Sequence, residues 1–270
     1  MFKTSLPLGL IPLFVLSGCT TFTHPSASER KASIAEAVAG LKQEVLEHVS
    51  KSTFQVINSA SPFTFEFTAN GSDFHYEIQL ASKTATGSAA LATAISKDGY
   101  LLSAAHVARP YVAVIGWMDG AVRMKFARVV YKKYFGTFGA EIAVLHVEAT
   151  LDSPLALHDR DAKQAKVYAF VRNFENDSTL AVVAGHIFHV TTSELEPQIA
   201  VAGTDLTTWR GDSGGGVMSP DGYLIGVTTG YKFALEGARL VCMPSPQFIE
   251  GIVGNDRADL SNKKTRTDAH

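Results

Sequence analysis

Residues 210–216, which read RGDSGGG, constrain this 270-residue chain more than any other stretch. The stretch places Ser213 among glycines, between two apolar runs that have the character of β-strands. Glycine adopts positive φ angles readily, so the backbone around Ser213 can turn two N–H groups toward one point. A serine hydroxyl beside such an anion-binding pair becomes a useful nucleophile when a base can take its proton.

A glycine cluster on its own more often indicates a flexible loop, so the interpretation depends on two further segments. Residues 101–108 read LLSAAHVA and contain His106, and residues 140–145 read AEIAVL and contain Glu141. Together the three segments resemble the trypsin-like (chymotrypsin-fold) serine proteases, in which a histidine, an acid and a serine follow in that order. The resemblance covers roughly residues 85–254, and it departs from the family at Glu141, where aspartate is usual.

The resemblance implies a role for each of these side chains. Ser213 would be the nucleophile, and His106 would act as general base and then as general acid. Glu141 would accept the second imidazole N–H, although Asp119 and Asp152 remain alternative acids. The backbone N–H groups of Gly211 and Ser213 itself would form the oxyanion hole.

The resemblance also places five small residues around the specificity pocket, namely Thr207, Thr208, Thr228, Thr229 and Gly230. Such residues exclude an aspartate-based preference for lysine or arginine, and they do not identify the preferred side chain. In zymogen-activated relatives, the acid before the nucleophile pairs with a newly cut N-terminus. This chain shows no plausible activation site, so we expect Asp212 to cap local N–H groups instead.

Residues 1–18 are predicted to be a lipoprotein signal peptide. Lys3 gives a positive start, and the apolar run 6–16 is too short to span a bilayer as a helix. The run ends in LSGC, which resembles a bacterial lipobox with cleavage before Cys19 and acylation of its thiol. The alternative is an ordinary secretory signal with a chance cysteine. Thr20, in place of an aspartate after Cys19, favours the outer membrane of the cell envelope.

Residues 19–53 are predicted to form a tether and an amphipathic helix that docks on the protein body. Ser26 and Glu29 have the spacing of a capping box. Five apolar residues recur at helical period after this pair, namely Ile34, Val38, Leu41, Val45 and Val49.

Short strands separated by turn residues predict an all-β fold for residues 54–254. By the resemblance, this domain comprises two six-stranded-type β-barrels, at about 54–150 and 160–254, with a short closing helix at 246–253. An Asn70-Gly71 turn predicts a hairpin near the start, as an addition or as the first barrel strands. Residues 255–270 are polar and are expected to be disordered.

Charge and cysteine content exclude several classes of protein. The net charge of −2 and the pI near 6.5 argue against a nucleic-acid partner. Acylation of Cys19 would leave Cys242 without an intrachain partner, so we expect no disulfide. We expect no cofactor and no metal site, because His186 and His189 would lie on opposite faces of a strand.

A competing motif points to another fold. Residues 211–215 also fit G-x-S-x-G, the nucleophile elbow of α/β-hydrolases, which requires a helix after the serine. Residues 216–222 make a poor helix, and His106 precedes the serine, whereas a hydrolase would place its histidine after the serine.

The sequence therefore predicts a lipid-anchored serine endopeptidase of the bacterial envelope facing the periplasm, with protein or peptide substrates. The alternatives are a catalytically inactive binding protein of the same fold and an esterase.

Overall fold

The computed structural model describes residues 25–82, 87–135, 140–158, 165–172, 180–192, 196–231 and 239–267. The predicted signal peptide, Cys19 and most of the tether lie outside these residues. Within the described residues, no helix has the length and apolar character needed to cross a membrane.

The first barrel is a closed, antiparallel sheet of six strands, as the sequence predicts. Its strand order is β1-β4-β5-β8-β7-β6. The strands are β1 (Thr53–Ser59), β4 (Gly87–Ala94), β5 (Tyr100–Ser103), β6 (Tyr111–Met118), β7 (Ala121–Phe135) and β8 (Ala140–Val147). Strand β1 was not predicted, because its polar and apolar residues alternate only briefly and it follows directly on a helix.

A separate hairpin is formed by β2 (Phe63–Asn70) and β3 (Asp73–Leu80). Its aromatic face packs against the outside of the first barrel, for example through Phe63 and Phe65, whose rings lie 5.3 and 5.0 Å from that of Phe126. The hairpin is therefore an addition to the barrel rather than part of it.

The second barrel is also closed and antiparallel, with strand order β10-β11-β14-β13-β12-β9. Its strands are β9 (Lys166–Arg172), β10 (Leu180–Thr192), β11 (Ile199–Thr204), β12 (Gly216–Met218), β13 (Leu224–Tyr231) and β14 (Arg239–Pro244). The two-barrel, chymotrypsin-like architecture predicted from the sequence is therefore confirmed.

The core has three layers that follow from the period-two geometry of strands. On β8, Ala143 and Leu145 fill the first barrel, whereas Ile142 and Val144 face the space between the barrels. On β9, alternate residues divide in the same way, and Phe170 faces the space between the barrels. The layer between the barrels fixes their relative position, and with it the cleft that they form.

Two helices precede the first barrel where one was predicted: α1 (Ala27–Gly40) and α2 (Gln43–Ser52). The capping box at Ser26 is present as expected, and α1 docks on β10. The predicted stripe is wrong at Val38, which is 56% exposed, and the helix ends at Gly40, with Leu41 as its C-cap. The face that docks is offset from that stripe and includes Arg30 and Ala37.

The C-terminal helix, α3 (Pro246–Thr267), is much longer than the predicted segment 246–253. It occupies residues 255–267, where we expected a disordered tail. The physical reason lies in charged side chains that tie it to the first barrel: Asp256 binds Arg128, and Arg257 binds Asp98.

Candidate active site

His106 lies in a single 3₁₀ turn, Ala105–Val107, directly after β5. The preceding strand is fully buried, so the turn begins at a fixed point on the barrel rim. The imidazole itself is 43% exposed and lies on the wall of a cleft of about 310 Å³. It is therefore held by a rigid element and remains accessible to a bound molecule.

Glu141 is the acid that contacts His106. Its Oε1 lies 2.7 Å from Nδ1 of the imidazole, and its Oε2 accepts the backbone N–H of His106 at 2.9 Å. The carboxylate is only 8% exposed. Since a carboxylate can only accept, a neutral imidazole in this position carries its proton on Nδ1 and has its lone pair on Nε2.

The two alternative acids lie elsewhere. Asp119 binds Lys125 and the backbone N–H of Thr150, and Asp152 accepts the backbone N–H of Gly120 at 3.2 Å. Both contacts belong to the exposed turn between β6 and β7. The extra methylene of glutamate relative to aspartate is thus accommodated at position 141 itself.

Ser213 lies on the wall of the same cleft, on the loop between β11 and β12. Its carbonyl accepts the N–H of Leu91 at 2.9 Å, a bond that joins this loop of the second barrel to a strand of the first. Within the described part of the chain, the Ser213 hydroxyl and the His106 imidazole do not hydrogen-bond to each other. Catalytic hydrogen bonds are often loose before a substrate binds.

Two glycines beside Ser213 have positive φ angles: +97° at Gly211 and +86° at Gly214. At Gly214, an added Cβ would overlap the carbonyl oxygen of Leu91 and the hydroxyl of Ser103. Glycine is therefore required there by both backbone conformation and space. This requirement explains part of the glycine-rich pattern in the sequence.

The nucleophile loop, which we define as residues 207–215, is braced by hydrogen bonds from β13. The N–H of Gly214 donates to the carbonyl of Thr228 at 2.8 Å, and the N–H of Thr228 donates to the carbonyl of Gly215 at 2.9 Å. The Thr228 hydroxyl donates to the Asp212 carbonyl at 2.5 Å. The loop is thus fixed to a strand of the second barrel.

Of the predicted specificity residues, three line the cleft together with His106 and Ser213: Thr208, Thr228 and Thr229. Thr207 does not line it in the described structure, and its carbonyl binds Arg30 instead. Gly230 lies in β13. The hydroxyl of Thr229 donates to the carbonyl of Leu240 at 3.3 Å.

Asp212 is fully buried, and its contacts were only partly foreseen. It accepts the N–H groups of Trp209 (2.7 Å) and Arg172 (2.8 Å), which agrees with the predicted capping role. It also forms a buried ion pair with Arg30 of α1 at 2.9 Å. Burial raises the pKa of the Asp212 carboxyl, and the Arg30 guanidinium and the two N–H groups oppose this rise.

Other cleft residues were missed from the sequence, including Asn58, Arg109 and Trp209. Asn58 lies on the unpredicted strand β1 and accepts the Ser88 hydroxyl at 2.8 Å. Arg109 and Trp209 stand three residues after His106 and four before Ser213, so sequence proximity could have indicated them. Among the described residues, no group of three His, Cys, Asp or Glu side chains could hold a metal ion.

A family model described as a trypsin-like peptidase domain matches residues 85–227, more than half of the chain. His106, Glu141 and Ser213 all fall within the matched region. A search of curated protein sequences finds no match.

Several solved structures share the fold. The HtrA-type protease AlgW with decapeptide is 18% identical with a TM-score of 0.53, covering 77% of this chain and 65% of that one. The Rv3671c protease, inactive form, is 18% identical with a TM-score of 0.51, covering 76% of this chain and 89% of that one. The MamO protease domain from Magnetospirillum magneticum (apo form) is 16% identical with a TM-score of 0.50, covering 76% and 98%. This chain thus spans about two thirds of the AlgW chain that it matches.

Proposed function

Given that the chain belongs to the trypsin-like peptidase family, we propose that it is a serine endopeptidase acting through an acyl-enzyme. The observation that carries this proposal is the two-point contact of Glu141 with His106, on the wall of the cleft that also contains Ser213. This contact leaves Nε2 of the neutral imidazole as a proton acceptor. Such an arrangement is what a serine nucleophile needs.

The reaction would proceed in two halves. Nε2 of His106 takes the proton of the Ser213 hydroxyl as its oxygen attacks the peptide carbonyl carbon. The resulting oxyanion accepts the N–H groups of Gly211 and Ser213. The imidazolium then gives its proton to the leaving nitrogen, and the C–N bond breaks to form an ester on Ser213. A water molecule, deprotonated by His106, hydrolyses that ester and restores the hydroxyl.

Glu141 would contribute by fixing the imidazole and by stabilising the imidazolium. Because the carboxylate is buried beside the ring, its charge is little screened by water. Its second oxygen holds the backbone of His106, so the ring cannot shift along the cleft without breaking that bond. Glutamate therefore supplies both the charge and the alignment that aspartate usually gives.

The N-terminal sequence supports a further part of the proposal, attachment to the bacterial envelope through lipid on Cys19. Stable anchoring requires more than one acyl chain, and a processed lipoprotein carries several. Ser26, where α1 is capped, lies seven positions after Cys19, and an extended chain covers about 3.5 Å per position. The anchor would therefore hold the first helix within about 25 Å of the membrane surface.

A fluorophosphonate probe tests the catalytic proposal directly. The purified full chain should be labelled near pH 8, whereas Ser213→Ala should not be labelled and His106→Ala should react at least about a hundredfold more slowly. Absence of labelling in the wild type would favour an inactive binding protein. Peptide libraries read by mass spectrometry then separate an endopeptidase from an esterase, since only the former yields new peptide termini.

The anchor has its own test. Cells expressing the full chain and Cys19→Ala are fed an alkyne fatty acid, and the two proteins are compared for incorporation and membrane fractionation. Incorporation that depends on Cys19 supports the anchor. Equal behaviour of the two proteins would contradict it and would favour an ordinary secretory signal.

A further inference from the structure

Arg30 on helix α1 reaches into the nucleophile loop from outside the two barrels. Its side chain is 5% exposed. One terminal nitrogen donates to the Thr207 carbonyl at 2.8 Å and to Asp212 at 2.9 Å. The other donates to the Arg172 carbonyl at 2.7 Å, and the guanidinium lies over the Trp209 ring, 5.3 Å from its centroid. A single side chain thus contacts the loop at its start, at its middle and next to the nucleophile.

The partner of Arg30 is Asp212, the residue directly before the proposed nucleophile. Asp212 lies between Gly211 and Ser213, whose N–H groups are the proposed oxyanion donors. The Ser213 N–H belongs to the peptide group that joins it to Asp212, so this donor moves with the backbone of Asp212. Its carboxylate is held in place by Arg30 and by the N–H groups of Trp209 and Arg172.

The burial of Asp212 makes its contact with Arg30 important. A carboxylate that is 1% exposed is strongly disfavoured unless a cation or several donors accompany it. Without Arg30, a charged Asp212 would be stabilised by a position closer to water, and Asp212 already lines the cleft that contains Ser213. A backbone shift at Asp212 toward that cleft would move the Ser213 N–H.

Helix α1 presents Arg30 from a fixed position. One turn further along, the Ser33 hydroxyl donates to the carbonyl of Ala184 at 2.8 Å and accepts the N–H of the same residue at 3.0 Å. Glu36 binds Lys166 at 2.7 Å. These contacts fasten α1 to the second barrel, so Arg30 meets the loop as part of a rigid support.

We propose that Arg30 is a positioning residue for the oxyanion hole and that helix α1 is a working part of the catalytic apparatus. Arg30 acts through Asp212 rather than on the substrate. Its catalytic consequence rests on the proposed peptidase function, whereas its hold on the loop is a separate property. The experiments below measure the two properties independently.

The first experiment measures acylation and ester hydrolysis by Arg30→Met, with Arg257→Met as the matched control. Arg257 also pairs with an aspartate and also lies over an aromatic ring, that of Tyr100 at 5.4 Å, but far from the nucleophile loop. Loss of an oxyanion donor lowers kcat by about 10²–10³. We expect Arg30→Met to lose that much in kcat with KM changed less than about threefold, and Arg257→Met to match the wild type.

The second experiment uses Arg30→Lys, which keeps the charge and covers the case in which Arg30→Met does not fold. A guanidinium stays protonated above about pH 12, whereas an ammonium titrates near pH 10. We expect Arg30→Lys to lose acylation reversibly between about pH 9 and 11, a loss absent from the wild type and from Arg257→Lys. If Arg30 had only a structural role, Arg30→Lys would not show this new loss of acylation at alkaline pH. Identical pH profiles for all three proteins would overturn the proposal.

The third experiment follows the loop without using activity. The chain has two tryptophans, so in a Trp117→Phe background the fluorescence of Trp209 reports on the nucleophile loop alone. We expect Arg30→Lys at pH 11 to show acrylamide quenching at least about twofold faster than at pH 8, with no change for Arg257→Lys. If the wild type proves unreactive, this measurement still decides whether Arg30 holds the loop. Unchanged quenching would overturn that role.

Discussion

Glu141 binds His106 through both of its carboxylate oxygens, one on Nδ1 at 2.7 Å and one on the backbone N–H at 2.9 Å. Glu141 lies near the start of β8 and His106 in the 3₁₀ turn after β5, 35 positions apart in the chain. The side chain of Glu141 is 8% exposed. The two-point contact fixes both the ring and the main chain that carries it. Glutamate, although one methylene longer than aspartate, therefore holds the histidine in a defined position.

Replacement of Glu141 by glutamine should lower acylation by about 10³–10⁴, because an amide neither keeps the negative charge nor accepts at both positions. The measurement is the second-order rate of fluorophosphonate labelling at pH 8. Asp152→Asn is the matched control, since Asp152 makes a single backbone contact in an exposed turn. We expect its rate to stay within about twofold of the wild type. Equal losses in the two variants would remove Glu141 from the catalytic group.

Gly214→Ala should abolish labelling and destabilise the fold, whereas Gly71→Ala should do neither to a comparable degree. Both glycines have positive φ, +86° and +64°, so both substitutions carry a backbone penalty of about 1–2 kcal/mol. Only Gly214 is also enclosed, by the carbonyl of Leu91 and by Ser103, while nothing lies within 4 Å of a Cβ at Gly71. Thermal unfolding and labelling of the two variants separate the two effects. Comparable losses would show that crowding at Gly214 is unimportant.

Local sequence patterns were sufficient for most of the β-structure. The Asn70-Gly71 turn gave the hairpin of β2 and β3, and the spacing of short strands gave the all-β fold. Strand β1 was missed because all seven of its residues are buried, so the regular alternation of exposed polar and buried apolar residues that marks a strand is absent. The same limitation applies to any strand that is buried on both faces.

The site residues divide in a similar way. His106 and Ser213 belong to local motifs, and the buried contact of Glu141 follows from its strand neighbours. Arg30 could not be predicted in the same way, because its partner lies 182 positions away and only the folded helix brings the two together. One signal was present in the sequence: Arg30 precedes Ala37 and Leu41 on one helix face, where a cation requires a buried partner.

Acid should loosen helix α3 before the barrels unfold. The hydrogen bond from Arg257 lowers the pKa of Asp98 to about 2, and the hydrogen bonds from Arg128 lower the pKa of Asp256. Folded-state pKa values below the unfolded ones give stability that is present above about pH 4 and is lost as pH falls toward 2. Exposed pairs of this kind contribute about 1 kcal/mol or less each, since solvent screens them.

Thermal unfolding between pH 6 and pH 2 tests this acid response. A double variant, Asp98→Asn with Asp256→Asn, should be less stable than the wild type at pH 6, and the difference should shrink by pH 2. Asp221→Asn, at an exposed turn, provides the control and should differ little from the wild type throughout. A difference between the double variant and the wild type that stays constant with pH would contradict the ion-pair origin.

Cys242 should be inert to thiol reagents in the folded protein. It is a free cysteine on β14 with no exposed surface, and burial raises the pKa of its thiol to about 12. Because the thiolate is the reactive form, both access and ionisation oppose modification at pH 8. In a Cys19→Ala background, the native chain should react with a disulfide reagent at least about a hundredfold more slowly than the chain unfolded in guanidinium.

The same burial gives Cys242 a pH signature. The folded chain keeps the thiol proton to about pH 12, whereas the unfolded chain releases it near pH 9, so this group's contribution to stability falls as pH rises above about 9. Cys242→Ala should remove that part of the loss of stability at alkaline pH. At neutral pH, it should lower the free energy of unfolding by about 1 kcal/mol. Labelling of Ser213 should stay unchanged. Chemical denaturation at pH 7 and pH 10 measures the free energy of unfolding at neutral pH and its decrease at alkaline pH. Rapid native modification, or loss of Ser213 labelling in Cys242→Ala, would mean that Cys242 is reactive rather than a packed core residue.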